Sequence, residues 1–288
     1  LRLHRPGYNT LAELESERLW IGALGASGIR VPEPMTTTRG QQFHLVDIPA
    51  AGERRYAGIT TWIEGTSLGD FLPGCDSQQE RQGIFRQLGM LVASLHQQSM
   101  NWALPPGFQR RTLDHDGLAG ENPSWGRFWE HNVLTAAERR LLQETRGEVH
   151  KMLGRYSKGA DAFGLIHSDL TLDNMIYDGK RLALIDFDDT AFGWYMYDIA
   201  VALFEERTGD DFPQLLQAFV EGYREHRCLD DRAVHSLPLF MLVRGLALIG
   251  WFHQRPELGD TPYLLELKDQ VCEECERFDP AAMSGTGA

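Results

Sequence analysis

At 288 residues with a formal net charge of −13, the chain is long enough to bury roughly three quarters of the surface that its unfolded form would expose. Apolar residues at 42 % and charged residues at 24 % exclude global disorder, and the acidic balance excludes the counterion-displacing binding to nucleic-acid phosphates that needs a basic face. Four cysteines, Cys75, Cys228, Cys272 and Cys275, are too few and too scattered for a secreted disulfide framework, so a cytoplasmic location is expected.

From the N-terminus, LRLH reads as a strand ending at Pro6 and Gly7. LAELESERLWIGALGASG carries Leu11, Leu14, Leu19, Ile21 and Leu24 on a helical period and stops at glycines. QQFHLVDI and YAGITTWI are rich in β-branched and aromatic residues and read as strands joined through AAGERR as a hairpin. The texture changes after Gly65. SLGDFL leads to a helix from about Ser77 to Gln98 with Ile84, Leu88, Leu91, Val92 and Leu95 on one face. The predicted division is therefore a lobe over 1–65 and a second over 66–288.

Residues 101–129 are dense in Pro, Gly, Asp and aromatics, and such a length predicts a functional or partner-contacting segment rather than a bare connection. Within it, Trp125 and Trp129 are read either as core or as the lining of an acceptor pocket with Asp114 and Asp116. Thr135 with Glu138 is a capping-box pattern that opens a helix. Beyond residue 190 the pattern is helical in MYDIAVALFEE, PQLLQAFVEGYREH and 234–253, before a flexible SGTGA tail. The apolar run 237–252 is short for a bilayer and carries Arg244, so it reads as a core helix and no membrane partner is expected. Cys272 and Cys275 form a CxxC with no second CxxC or His pair to complete a zinc site.

The chemistry concentrates in LIHSDLTLDNMIYDGKRLALIDFDD, residues 165–189. Clustered aspartates repel one another and resist burial beside apolar runs, which makes a cation their natural counterpart. NMIYD and RLALIDF read as two strands joined by a DGK turn, which would fix Asp169, Asn174 and Asp186 relative to each other. The order HxDxxxxN, then a strand and an Asp-aromatic pair, has a mechanical meaning. The first aspartate accepts the proton of an attacking hydroxyl, and the asparagine and later aspartate hold Mg²⁺ against nucleotide phosphates. Here these are Asp169, Asn174 and Asp186, with His167 bracing the loop. Asp188 and Asp189 are left between metal assistance and solvent-facing turn positions.

With these residues the chain resembles the aminoglycoside phosphotransferase and choline kinase group of protein-kinase-like enzymes, within the phosphotransferase enzyme family. HSDLTLDN matches the catalytic loop of that group, LIDFDD its metal-binding segment, YDIA with Asp198 the helix start that buttresses the loop, and GMLVASLH its Leu-His helix. The resemblance implies an α+β, bilobal protein-kinase-like fold, with a small, N-terminally incomplete antiparallel-sheet lobe and a larger mainly helical lobe. It places backbone near Thr61, Trp62 and Ile63, in WIEGTSL, against adenine. Arg2 stands where the group carries a phosphate-binding lysine, and Glu17 matches the glutamate that pairs with it.

The activity implied is transfer of the γ-phosphoryl of ATP, with GTP as alternative, in the presence of Mg²⁺. The acceptor implied is the hydroxyl of a small, amine-bearing and cationic molecule such as an aminoglycoside, choline or homoserine. A Ser/Thr protein kinase of the bacterial stress-response type and a non-catalytic nucleotide-binding protein are the alternatives, and the assembly expected is a monomer or homodimer. Two strands and a phosphate-covering loop of the group have no counterpart here, roughly 25 to 35 residues at typical element lengths, so the natural chain is expected to extend before Leu1.

Overall fold

Thr10 accepts a hydrogen bond from the Glu13 amide and the Glu13 carboxylate accepts one from the Thr10 amide, a reciprocal cap that starts α1 (Leu11–Ala26) directly after the short β1 (Arg2–Leu3). The computed structural model describes residues 1–281, and the SGTGA tail lies outside them. Next come β2 (Pro34–Met35), β3 (Phe43–Ile48), β4 (Glu53–Thr60), β5 (Thr66–Ser67), α2 (Leu68–Phe71) and α3 (Gln78–Asn101). The 101–129 segment holds β6 (Arg111–Leu113) and α4 (His115–Ala119), and the capping box of Thr135 and Glu138 opens α5 (Ala136–Arg155). Then follow β7 (Phe163–Ile166), β8 (Met175–Tyr177), β9 (Leu182–Leu184), β10 (Ala191–Trp194), α6 (Tyr195–Leu203), α7 (Phe212–His226), α8 (Asp231–His235), α9 (Leu237–His253) and α10 (Pro262–Arg277).

Two differences from the sequence reading have local causes. The hairpin turn takes only residues 49–52, and Glu53, Arg54 and Arg55 belong to β4 because they pair across with Ile48, Asp47 and Val46. Arg54 adds a cross-strand ion pair of 3.2 Å to Asp47. The 234–253 helix is broken at Ser236: Asp230 caps α8, and Pro238, in the first turn of α9, starts a new helix.

By its contacts the chain divides into two compact units. The first comprises residues 1–111, 165–191 and 205–228. Its small sheet is antiparallel, with β4 pairing β1, β2 and β3. A second sheet joins β5, β8 and β9, and so presents the acidic hairpin. Gly65, at φ 143°, sits against it, where a Cβ would lie 2.6 Å from the Tyr177 carbonyl oxygen. The α3 and α7 helices cross at two glycines. A Cβ on Gly89 would fall 2.0 Å from the Phe219 carbonyl oxygen and one on Gly222 2.0 Å from that of Arg86, so backbone meets backbone there. Leu14, Trp20, Leu24, Phe85, Leu88 and Val92 are fully buried, and Trp20 meets the Phe187 ring edge-on at 5.7 Å.

The second unit comprises residues 112–164, 192–204 and 229 onward. In it α9 packs on α6 and α10, and α4 packs on α5. Trp194, Tyr197, Phe240 and Val271 form its interior, and Asp198 is fully buried in the first turn of α6. Trp125 and Trp129 are buried as well, with Arg146 stacked 4.9 Å from the Trp129 ring, so they are core rather than pocket lining. Cys272 and Cys275 are buried on α10, and burial pushes their thiols up to about 11 and about 12, which keeps them protonated. No helix among the described residues is long and apolar enough to cross a membrane.

Candidate active site

β7 runs into a loop whose first bend is Ser168, and β9 runs into a segment whose first bend is Asp186. At φ 66° and 62° these are the non-glycine residues in the left-handed region among those described. A bend of this kind costs on the order of 1–3 kcal/mol and persists where surrounding bonds enforce it. Here they do. The Ser168 hydroxyl donates to the Asp189 carbonyl at 2.5 Å, and the Ile185 amide donates to the Asn174 carbonyl at 3.0 Å. His167, fully buried, accepts from the Asp169 amide on Nδ1 at 3.3 Å, so its Nε2 carries the proton and donates to the Ile185 carbonyl at 3.0 Å. This ring locks the two loops together and leaves the Asp169 carboxylate to other partners.

Asn174, at the end of a short 3₁₀ turn, donates through Nδ2 to the Asp169 backbone oxygen at 2.9 Å and to its carboxylate at 3.0 Å. Its amide oxygen is thereby left as an acceptor. That oxygen and the Asp186 carboxylate are hard donors suited to a divalent cation. Positive charge already gathers here in another form: Arg2 donates to Asp186 at 2.6 Å and to Asp188 at 2.5 Å.

The expected pair of Arg2 with Glu17 is not formed. Glu17 is buried with Oε2 unbonded, and the guanidinium is drawn instead to the two aspartates. Burial and the charge of Asp188 raise the Glu17 carboxyl to about 8, against the pull of Arg110, Arg18 and Arg2. Asp188 goes the other way: burial pushes it up, but His4, Arg2 and Arg110 together hold it below its ordinary value. Asp189 is raised by burial and by the charge of Asp169, and it accepts a short hydrogen bond from the Tyr8 hydroxyl. Neither Asp188 nor Asp189 is the solvent-facing turn residue allowed by the sequence. In the segment expected near adenine, Thr61 spends its amide on the Glu33 carbonyl at 2.9 Å, and Trp62 is 83 % exposed, followed by Ile63 in irregular chain.

The residue that sequence reasoning missed is Arg110. Its buried guanidinium donates to the carbonyls of Thr190 at 2.6 Å, Asp188 at 2.5 Å and Glu13 at 3.0 Å, pinning α1 to the 187–190 segment. Arg111 beside it donates to Asn9 at 3.0 Å and stacks on Tyr8. The signal available was the pair of arginines in the long 101–129 segment.

A catalytic-type loop with Asp169 and Asn174, an Asp-Phe hairpin end and a small antiparallel sheet define the protein-kinase-like phosphotransferase class. The model of the phosphotransferase enzyme family matches residues 1–235, and the chain belongs to that family. A solved microcompartment-associated aminopropanol kinase is similar at 29 % identity and a TM-score of 0.82, over 99 % of this chain and 86 % of that one. Amicoumacin kinase of Bacillus subtilis (strain 168) is 23 % identical over 253 residues, 84 % of this chain and 70 % of that protein. An amicoumacin kinase solved with AMP-PNP, Ca²⁺ and Ami shares the fold, with a TM-score of 0.74 at 19 % identity over 96 % of this chain and 82 % of that one.

Proposed function

We propose that this phosphotransferase moves the γ-phosphoryl group of ATP, with Mg²⁺, to the hydroxyl of a small amine-bearing acceptor. The observation that carries the reading is the bond from Asn174 to the Asp169 carboxylate in a loop locked to Asp186 through Ile185. Asp169 orients the acceptor hydroxyl and takes its proton. Asn174 and Asp186 offer the oxygen donors for the cation, which when bound would neutralise phosphate charge. Arg2 serves the phosphates, with Glu17 behind it as a buried acid, and Thr61, Trp62 and Ile63 serve the base, with the exposed Trp62 ring as an apolar surface. The functional division is proposed near residue 65, since β5, just beyond it, pairs with β8 rather than with the N-terminal sheet. The net charge of −13 favours a cationic acceptor, and relatives named for aminopropanol and amicoumacin support an amino-alcohol or an amine-bearing antibiotic.

The test is ADP release from Mg·ATP across a panel of amino-alcohols and amine-bearing antibiotics, with Asp186→Ala in parallel. Acceptor-dependent release that is lost in the variant supports the reading. Arg2 seated on Asp186 favours a second one, a nucleotide-binding protein without turnover. Equal Mg·ATP affinity in both proteins, with no release on any acceptor, would establish that instead.

A further inference from the structure

The second unit holds a cluster of side chains of metal-ligating type that shares no residue with the candidate active site. His115 and Asp116 lie in the first turn of α4, and His150 on α5. The His150 Nε2 atom is 2.8 Å from Asp116 Oδ1, the His115 Nε2 atom is 3.6 Å from Asp116 Oδ2, and one ligand atom from each of the three residues lies within 4.8 Å of the others. The two imidazole rings sit 4.9 Å apart at 57°, inclined rather than stacked, and each brings its Nε2 near the Asp116 carboxylate. Tetrahedral Zn²⁺ with bonds of about 2.0–2.2 Å spaces its ligand atoms roughly 3.3 Å apart, a spacing these side chains reach by small rotations.

We propose that His115, Asp116 and His150 form a binding site for Zn²⁺ or a neighbouring late first-row divalent cation, open to water on its outer side and clamping α4 onto α5. Two imidazole nitrogens with one carboxylate suit such ions and not Mg²⁺, which prefers an all-oxygen shell.

The surroundings are built for it. A ligating histidine orients itself by giving its other ring N–H to a carboxylate. His115 Nδ1 is buried, has no hydrogen-bond partner, and lies 3.9 Å from Asp114 Oδ2. Asp114 is itself fixed: Lys158 donates to it at 2.8 Å, and the backbone amides of Asp116 and Gly117 donate to it at 3.2 Å and 3.1 Å. Ligation through Nε2 would place the His115 proton on Nδ1, facing that carboxylate. On the solvent side, the Asp116 side chain is 73 % exposed, which leaves an entry path for the ion.

The experiment is titration of the full chain with Zn²⁺ in a large excess of Mg²⁺, followed by calorimetry and thermal unfolding, with Co²⁺ as a spectroscopic substitute. Saturable one-site binding, a rise in Tm and Co²⁺ d–d bands without a thiolate charge-transfer band are expected. His115→Gln and His150→Gln should each weaken binding by about tenfold or more and abolish the Tm rise, while His235→Gln leaves both unchanged. Asp116→Asn, a change at an exposed side chain, provides the same test should either histidine variant fail to fold. Absence of saturable binding, equal affinity in His115→Gln/His150→Gln, or a thiolate band that assigns the ion to cysteine would each overturn the proposal.

Discussion

Arg2 places one guanidinium nitrogen on Asp186 and another on Asp188, joining the first strand of the chain to residues more than 180 positions away. Asp186 is therefore shared between this guanidinium and any cation held with Asn174. Replacing Arg2 with Ala should tighten divalent-ion binding at Asp186 while raising KM for nucleotide, because the competitor and the proposed phosphate contact are lost together. Isothermal titration with Mg²⁺ beside steady-state kinetics checks both directions, and a variant with unchanged KM would contradict the phosphate role.

Asp169→Asn keeps the shape of the side chain and removes its basicity. A positioned general base contributes typically 10²–10⁴-fold, so on the base role proposed for Asp169 kcat should fall by about that factor with KM for the acceptor little changed. Rapid-quench measurement of the chemical step is the direct check.

Glu17 carries a pH signature. Its carboxyl ordinarily titrates at 4.5 but is raised to about 8 in the fold, so the native state binds more protons than the unfolded chain between those values. Its contribution to stability is fully present below pH 4.5 and is lost as pH rises through about 8. Denaturant unfolding at stepped pH should show this decline in the wild type and a flatter profile in Glu17→Gln, which stays neutral throughout.

Two glycines of α3 should respond oppositely to the same substitution. Gly89→Ala drives a methyl into the Phe219 carbonyl and should destabilise by about 1–3 kcal/mol. Gly83→Ala meets nothing within 4 Å and should stabilise by about 0.4–1 kcal/mol through the unfolded state. Urea midpoints for the pair separate the crossing from helix propensity.

Arg110→Met removes the donor that serves three buried or half-buried carbonyls. Each unsatisfied acceptor costs about 1–3 kcal/mol, so a large loss of stability is expected, together with faster amide exchange through 187–190. Hydrogen-exchange mass spectrometry reads the second effect by segment.

The contrast between Asn174 and Arg110 explains what was legible beforehand. Asp169 and Asn174 lie in the loop and 3₁₀ turn that lead into one hairpin and Asp186 just beyond its second strand, so spacing along the chain converts directly into spacing in the fold. Likewise the Thr135 cap and the α3 stripe are local patterns, set by periods of a few residues. Arg110 and Arg2 act across long separations, and nothing in their own neighbourhoods records which carbonyls or carboxylates they will meet. The partners of Arg2 were hidden for the same reason: neither its sequence context nor that of Glu17 gave a hint that Asp186 and Asp188 would accept its hydrogen bonds. Trp125 and Trp129 were ambiguous because burial of a tryptophan is decided by neighbours that come from other helices.

The left-handed bends at Ser168 and Asp186 set a time order on the work of this site. Both are held in the folded chain by neighbouring bonds, the Ser168 hydroxyl on the Asp189 carbonyl and the Ile185 amide on the Asn174 carbonyl. Each catalytic cycle consequently begins with the loop already curved. Glycine in place of Ser168 would ease the local geometry yet remove the hydroxyl that ties the bend to Asp189, handing that curvature back to thermal fluctuation, so a protein easier to fold would have to search for its working shape at every turnover.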